Sequence, residues 1–232
     1  MGHRGTLAVA GITVRSVRLA DVGPDGAAFL DPAECARAAG ITDPATRRDF
    51  LAGRIALRGF AAGILSVRPG ELTADYSCPD CGTGPELDHG RPGYRLDGAP
   101  TGLSLSLSRS HGWALLAAGS AVGPGGAGAT VGIDLEHSAG AMFPGFDDVA
   151  LTPAERQWLA ALATNQADHW RTAVWARKEA LLKALGTGLR VDPCSVEAFP
   201  EPAGGNVLIE LDTAALGLPA GFAAALAVVG TA

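Results

Sequence analysis

Amines and an acid are concentrated in one stretch, Trp175-Ala-Arg-Lys178-Glu179-Ala-Leu-Leu-Lys183-Ala-Leu-Gly186. The two lysines of the chain both lie here, and the other sixteen basic residues are arginines. A helix would set Glu179 and Lys183 on one face, with Trp175 a turn before Glu179. Leu181, Leu182 and Leu185 supply an apolar side, and Gly186 a C-terminal stop. Alone, such an ion pair contributes only about 0.3–0.5 kcal/mol on a solvated face. A second acidic stretch upstream, Thr130-Val-Gly-Ile-Asp134-Leu-Glu136-His137, raises its interest. Apolar residues alternate there, so in a strand Asp134 and Glu136 project from the same face. Carboxylates that close repel, and a divalent cation bridging them relieves the repulsion. Hard oxygen ligands without cysteine suit Mg²⁺. His137 reads as a chance neighbour. A helix with an acid and two amines near one face could hold a metal and an anionic group side by side.

These groups need a scaffold, and the chain predicts one of mixed type. A helix is expected from about Pro44 to Ser66, with Phe50, Leu51, Ile55, Leu57 and Phe60 as apolar positions. It carries Arg47, Arg48, Arg54 and Arg58. Arginines on a helix usually solvate a face, but this cluster in an acidic protein points to an anion site. Asp31-Pro32 and Thr152-Pro153-Ala-Glu155 read as helix starts, the second with a capping box and running to about Ala163. A further helix starts near Asp168. Leu7 to Leu19 predicts one strand. Leu103-Ser-Leu-Ser-Leu-Ser108 alternates strictly and predicts a strand with one buried face. A turn at Arg109-Ser-His111-Gly leads into a second strand from Trp113. Ser195 to Phe199, Asn206 to Leu211 and Phe222 to Val229 are strand-like. Strands and helices in both halves predict α+β with antiparallel sheets.

Residues 69–102 are turn-rich. Cys78-Pro-Asp-Cys81 with His89 offers three ligands where structural zinc normally takes four. A redox motif would need a strand before and a helix after, so the pattern reads as a loop with incidental thiols. Gly123-Pro-Gly-Gly-Ala-Gly128 lacks the lysine and helix of a phosphate-binding loop. The 232 residues suit one large domain or two small ones, and 47% hydrophobic content supports a sizeable core. A net charge of −6 argues against broad nucleic-acid binding while leaving room for a local basic pocket. Met1 to Arg18 has no apolar run of the secretory kind, so the four cysteines read as reduced and the protein as cytoplasmic. No stretch reaches the roughly 18–20 apolar residues of a membrane span.

The order of these pieces resembles the 4′-phosphopantetheinyl transferase superfamily, in its larger surfactin-synthetase-activating (Sfp-type) branch. Val131-Gly-Ile-Asp134-Leu-Glu136 looks like that family's G-[IV]-D-[VIL]-E block. Trp175-Ala-Arg-Lys178-Glu179-Ala-Leu-Leu-Lys183 looks like its [FW]-x-x-K-E-[AS]-x-x-K block. Phe50-Leu-Ala-Gly-Arg54-Ile-Ala-Leu-Arg58 resembles its arginine-bearing helix, and Gly90-Arg91-Pro92 its G-[KR]-P. The family commonly has S-H-[ST] before the hairpin turn; here Ser108-Arg109-Ser110 aligns, with the histidine displaced to His111. In the family that histidine contacts a phosphate of the bound coenzyme; arginine is a good phosphate ligand with a permanent charge, so the resemblance points to Arg109 for this role, with His111 as the alternative.

The resemblance implies two similar α/β subdomains in a pseudo-twofold arrangement, residues 1–122 and 123–232, with small antiparallel sheets on helices and the site at their junction. It implies transfer of 4′-phosphopantetheine from coenzyme A to a carrier-protein serine, leaving adenosine 3′,5′-bisphosphate. Asp134, Glu136 and Glu179 would hold Mg²⁺. Arg48 and Arg54 would take the 3′-phosphate, with Arg91 near the adenine. Ser108, Arg109 and Lys183 would lie at the pyrophosphate, and Lys178 would touch phosphates or the carrier, ranking below Lys183. Glu179, directly or through a water on the metal, is the candidate base; with Lys183 and Asp134 it forms the catalytic set. Trp175 reads as packing. Met142, Phe143 and Phe146 could dock the carrier or simply cap the core. Two fused halves make a monomer sufficient. The alternatives are a Mg²⁺-dependent phosphohydrolase acting on a coenzyme A-like diphosphate and a non-catalytic coenzyme A-binding homologue.

Overall fold

The amino-terminal alternation breaks at Ala10-Gly11, where both residues have positive φ (50° and 77°). Two such residues make the tight turn that a right-twisted hairpin favours. The expected single strand is therefore two, β1 (Thr6–Val9) and β2 (Ile12–Arg18). The computed structural model describes residues 5–121, 128–139, 143–200 and 206–230. The glycine-rich segment 123–127 and Met142 lie outside them.

α1 (Pro32–Gly40) starts with Asp31 and Glu34 in a capping box. α2 (Pro44–Leu65) is capped by Asp43, whose side chain accepts from the Thr46 amide at 2.7 Å. The turn-rich stretch holds short strands β3 (Leu72–Ala74), β4 (Tyr76–Cys78), β5 (Gly82–Gly84), β6 (Tyr94–Leu96) and β7 (Ala99–Pro100). β8 (Leu103–Ser110) and β9 (Trp113–Ser120) turn on His111-Gly112, again with positive φ at both residues. β10 (Ala129–His137), α3 (Phe146–Ala150), α4 (Pro153–Ala160), α5 (Thr164–Leu185), β11 (Val207–Glu210) and β12 (Phe222–Gly230) follow. α5 thus begins ahead of Asp168, and α4 stops before Ala163. Ser195 to Phe199 is not a strand. The Asp192 side chain accepts from the Cys194 amide and starts a 3₁₀ turn, and the Ala198 amide donates to Glu155 Oε1 at 3.0 Å instead of to a neighbouring strand.

Among the described residues, antiparallel pairing builds a four-stranded sheet, β1-β2-β9-β8, a three-stranded sheet, β10-β12-β11, and two small ones, β3-β6-β7 and β4-β5. The fold is mixed α+β, as expected. α2 covers the first sheet through Leu57 and Phe60 against Leu105 and Leu116. α5 covers the second through Ala176, Ala180 and Ala184 against Ala225 and Ala227. A shared cluster joins Val14, Leu115 and Ala117 to Ile133, Leu135 and Leu226.

The two sheets meet where β8 lies beside β10. The Val131 amide donates to Ser104 Oγ (2.9 Å) and the Ile133 amide to Ser106 Oγ (3.0 Å). Hydroxyls replace a backbone ladder, so the serine face of β8 is buried too, contrary to the expectation of one buried face. Strict alternation of leucine and serine carries no mark that distinguishes solvent from a hydrogen-bonded seam.

α5 crosses β10 at close range. A Cβ on Gly132 would fall 1.9 Å from the Ala180 carbonyl oxygen and 2.5 Å from the Ala184 amide. Backbone atoms cannot rotate aside, so Gly132→Ala pries the helix from the strand. We expect a loss of about 3 kcal/mol, the upper range for overpacking. A urea midpoint shift worth under about 1 kcal/mol would show the contact to be soft. No helix among the described residues is long and apolar enough to cross a membrane.

Candidate active site

Asp134 is only 2% exposed at the centre of β10. Its Oδ1 accepts from Ser108 Oγ at 2.7 Å and from Lys183 Nζ at 2.5 Å. Its Oδ2 is buried with no hydrogen-bond partner among the described residues. Alternation along β10 puts Glu136 on the same face, and the helical period of α5 puts Glu179 one turn before Lys183. All four side chains line one cleft of about 700 Å³. Burial above all, then the Asp134 charge, pushes the Glu136 carboxyl up to about 7, against the opposing pull of Lys183. Trp175 lines the same cleft as Glu136. Glu179 is raised too, by burial first and by Asp134, with Lys183 opposing.

An orphaned buried oxygen among mutually repelling carboxylates, all hard donors, fits a Mg²⁺ ion. Asp134, Glu136 and Glu179 are the residues that would hold it.

The Glu136 shift has a consequence for the metal-free protein. A carboxyl whose pKa rises from the ordinary 4.5 to about 7 on folding is protonated in the native state across that interval. Its contribution to stability is complete below the lower value and is lost as pH climbs through the higher one. In chelator, the melting temperature should therefore fall between about pH 5 and about pH 8, and Glu136→Gln should flatten that slope. Parallel slopes for the two proteins would dismiss the shift.

The opposite wall is cationic. Arg54 donates to the Tyr76 hydroxyl and to the Asp88 carbonyl (2.8 Å), and its guanidinium lies over the Tyr76 and Phe50 rings at 4.4 and 5.1 Å. Arg109 lies over the same Phe50 ring at 5.3 Å. Gly53 makes that approach possible, because a Cβ there would sit 2.7 Å from Arg109 Cδ. Burial and then the Arg54 charge lower the Arg109 pKa. Arg37 also lies over that ring at 5.8 Å, outside the cleft lining. Guanidiniums held against one ring repel, and an anion between Arg54 and Arg109 relieves the repulsion.

The remaining arginines of α2 do not reach the cleft. Arg48 is 69% exposed and pairs with its neighbour Asp49 at 3.4 Å. Arg47 donates to the Ile41 carbonyl just after α1 (2.8 Å). Arg58 is 1% exposed and bonds Asp31, Glu34 and the Leu72 carbonyl. Arg54 alone of the four lines the cleft, because its helical face turns to Tyr76 while the others serve α1 or solvent.

Arg91 points elsewhere as well, donating to the Ala184 carbonyl at the C-terminal end of α5 (2.7 Å). Gly90 and Pro92 on either side do line the cleft. Lys178 is wholly buried, 2.6 Å from Glu155 Oε2 and 2.8 Å from the Pro193 carbonyl. It sits one residue from Glu179, but the helical step of roughly 100° turns it to a different face of α5, toward Glu155. Ser108 is in the cleft, donating to Asp134. His111 lines the cleft beside Arg109, and its ring stacks on His137 at 4.5 Å. Phe143 is 55% exposed, whereas Phe146 is 4% exposed and packs on Trp175 at 5.8 Å. Trp175 therefore packs, as expected, and it also lines the cleft with Glu136. Neither that role nor that of Tyr76 leaves a spacing signal in the sequence.

Three acids and a lysine facing two stacked arginines make a cleft suited to a divalent cation and a polyanionic ligand together, the requirement of phosphoryl-transfer chemistry. The family description "4′-phosphopantetheinyl transferase superfamily" matches residues 130–225, a span that includes Asp134, Glu136, Glu179 and Lys183. The 4′-phosphopantetheinyl transferase Svp of Streptomyces mobaraensis is 30% identical over 197 residues, covering 82% of this chain and 69% of Svp. The chain belongs to the 4′-phosphopantetheinyl transferase superfamily. It is an enzyme of that class. A holo-(acyl-carrier-protein) synthase from Bacillus anthracis str. Ames, in complex with CoA (3′,5′-ADP), overlaps 44% of this chain and 96% of its own at a TM-score of 0.36 and 22% identity.

Proposed function

We propose that this chain, as a member of the Sfp-type branch, transfers 4′-phosphopantetheine from coenzyme A to a serine hydroxyl of an acyl or peptidyl carrier protein. The observation that carries the Mg²⁺-dependent form of this reading is the buried Oδ2 of Asp134, without a partner among the described residues, in one cleft with Glu136 and Glu179. Mg²⁺ held there would offset the charge of the diphosphate and of its leaving group. Arg54 and Arg109 bind phosphate groups of coenzyme A, and Lys183 faces the diphosphate from the acidic wall. Glu179 takes the proton of the carrier serine as its oxygen attacks phosphorus. Its raised pKa brings it closer to the working pH of a base. The phosphorus–oxygen bond to adenosine 3′,5′-bisphosphate breaks, and that nucleotide departs. Residues 1–122 supply the arginine wall and residues 123–232 the acids. The exposed Phe143 extends the surface on which a carrier docks. A monomer holds all of these parts, and the carriers served are those of polyketide, nonribosomal-peptide or fatty-acid synthesis in the cytoplasm.

Intact-mass analysis of an apo carrier incubated with coenzyme A, Mg²⁺ and this protein tests the reading. A gain of one phosphopantetheine is expected, and chelator should prevent it. Free phosphopantetheine with an unchanged carrier would instead mark a hydrolase, and binding without turnover a non-catalytic homologue. Arg109→Ala should raise KM for coenzyme A by about tenfold, equivalent to one charge-assisted contact. KM for the carrier should not move; a change confined to the carrier would place Arg109 outside the coenzyme A site.

A further inference from the structure

Outside the cleft, three side chains converge. The sulfurs of Cys78 and Cys81 and a ring nitrogen of His89 all lie within 4.8 Å of one another. Cys78 pairs with Gly82 across the β4–β5 hairpin, so Pro79-Asp80-Cys81 forms its turn. Gly82 allows the tight return with φ at 88°. Arg190 supplies a cation there, with Nη2 3.6 Å from the Cys78 sulfur and 2.6 Å from Asp80. A cation beside a sulfur favours the thiolate, the form that ligates metals.

His89 is oriented for the same task. Its Nδ1 meets Asp88 Oδ1 at 2.9 Å. A carboxylate behind one imidazole nitrogen is the arrangement that presents the other to a metal. Asp88 is itself held by Arg37 at 3.1 Å.

We infer that Cys78, Cys81 and His89 bind a zinc ion, with its fourth position open to water or an added ligand. Thiolates and imidazole select zinc over the magnesium that hard carboxylates prefer. Tetrahedral Zn–S and Zn–N bonds place ligand atoms roughly 3.5–3.8 Å apart, so closure needs about 1 Å of side-chain movement. The ion is a clamp. The loop it gathers carries Asp88, whose carbonyl accepts from Arg54, and Arg91, which bonds the end of α5. Zinc would hold the cationic wall of the cleft in register with the acidic one.

Zinc and thiol content of the full chain, purified without chelator and dialysed against metal-free buffer, tests this directly. One zinc per chain is expected, with Cys78 and Cys81 protected from thiol reagents until the metal is removed. Cys81→Ser and His89→Ala should each lose most of the zinc, while Cys35→Ser keeps it. The cobalt-loaded chain should show thiolate-to-metal charge transfer and the visible bands of a tetrahedral ion. A metal-free chain with freely reactive thiols, a Cys78–Cys81 disulfide, or full zinc in Cys81→Ser would each overturn the assignment. Asp134→Ala keeps its zinc while losing transfer, which separates failure of this site from failure of the transferase reading.

Discussion

Asp134→Ala should lower kcat/KM for phosphopantetheinyl transfer by about 10³-fold or more, the scale of losing one preorganised electrostatic contact. Two features make this side chain the centre of the cleft. Oδ1 ties β8 to α5 by accepting from Ser108 and Lys183. Oδ2 is buried without a partner among the described residues, which in a folded protein calls for a ligand. Alanine removes both, and it also removes a charge that raises Glu136 and Glu179. The chain should therefore keep its melting temperature in chelator, or gain slightly, while Mg²⁺ no longer stabilises it. Asp134→Asn retains an acceptor for Lys183 but loses the charge, so it should fall nearly as far. Turnover above about a tenth of normal at ordinary Mg²⁺ would falsify the metal assignment.

Lys178→Ala produces the largest expected loss of stability, about 3–5 kcal/mol, as for breaking one side of a buried ion pair. Lys178 and Glu155 are both fully buried and 2.6 Å apart. Without the lysine, Glu155 still accepts from the Thr152 and Ala198 amides at 2.9 and 3.0 Å, but its charge is uncompensated. Pairing Lys178→Met with Glu155→Gln should recover part of the loss, because no lone charge then remains inside. The folded fraction of Lys178→Ala should keep an ordinary KM for coenzyme A. An unchanged denaturation midpoint together with weakened coenzyme A binding would return Lys178 to the cleft. The two lysines should thus separate by assay, loss of Lys183 lowering turnover and loss of Lys178 lowering stability.

Much of the site was legible along the chain. Glu179 and Lys183 share a face because helical spacing obliges it, and Asp134 and Glu136 because strand alternation does. Asp31, Thr152 and Glu155 cap helices where their types and spacing say they should. The arginine helix also formed as expected, yet residue type alone did not say which guanidinium would face the ligand. Arg58 found Asp31 and Glu34, and Arg91 found the carbonyl of Ala184.

By itself the sequence determined the α+β class, the family, and the two short motifs that bear the acids, because period, capping and motif spacing act over a few residues. Tertiary structure decided the rest. It turned Lys178 inward to Glu155, buried the serines of β8 against β10, required Gly132 where α5 crosses, and brought His89 to Cys78 and Cys81. Each of these joins groups remote along the chain or on separate elements, and a buried charge, amide or thiol declares its partner only once packing has removed water from around it.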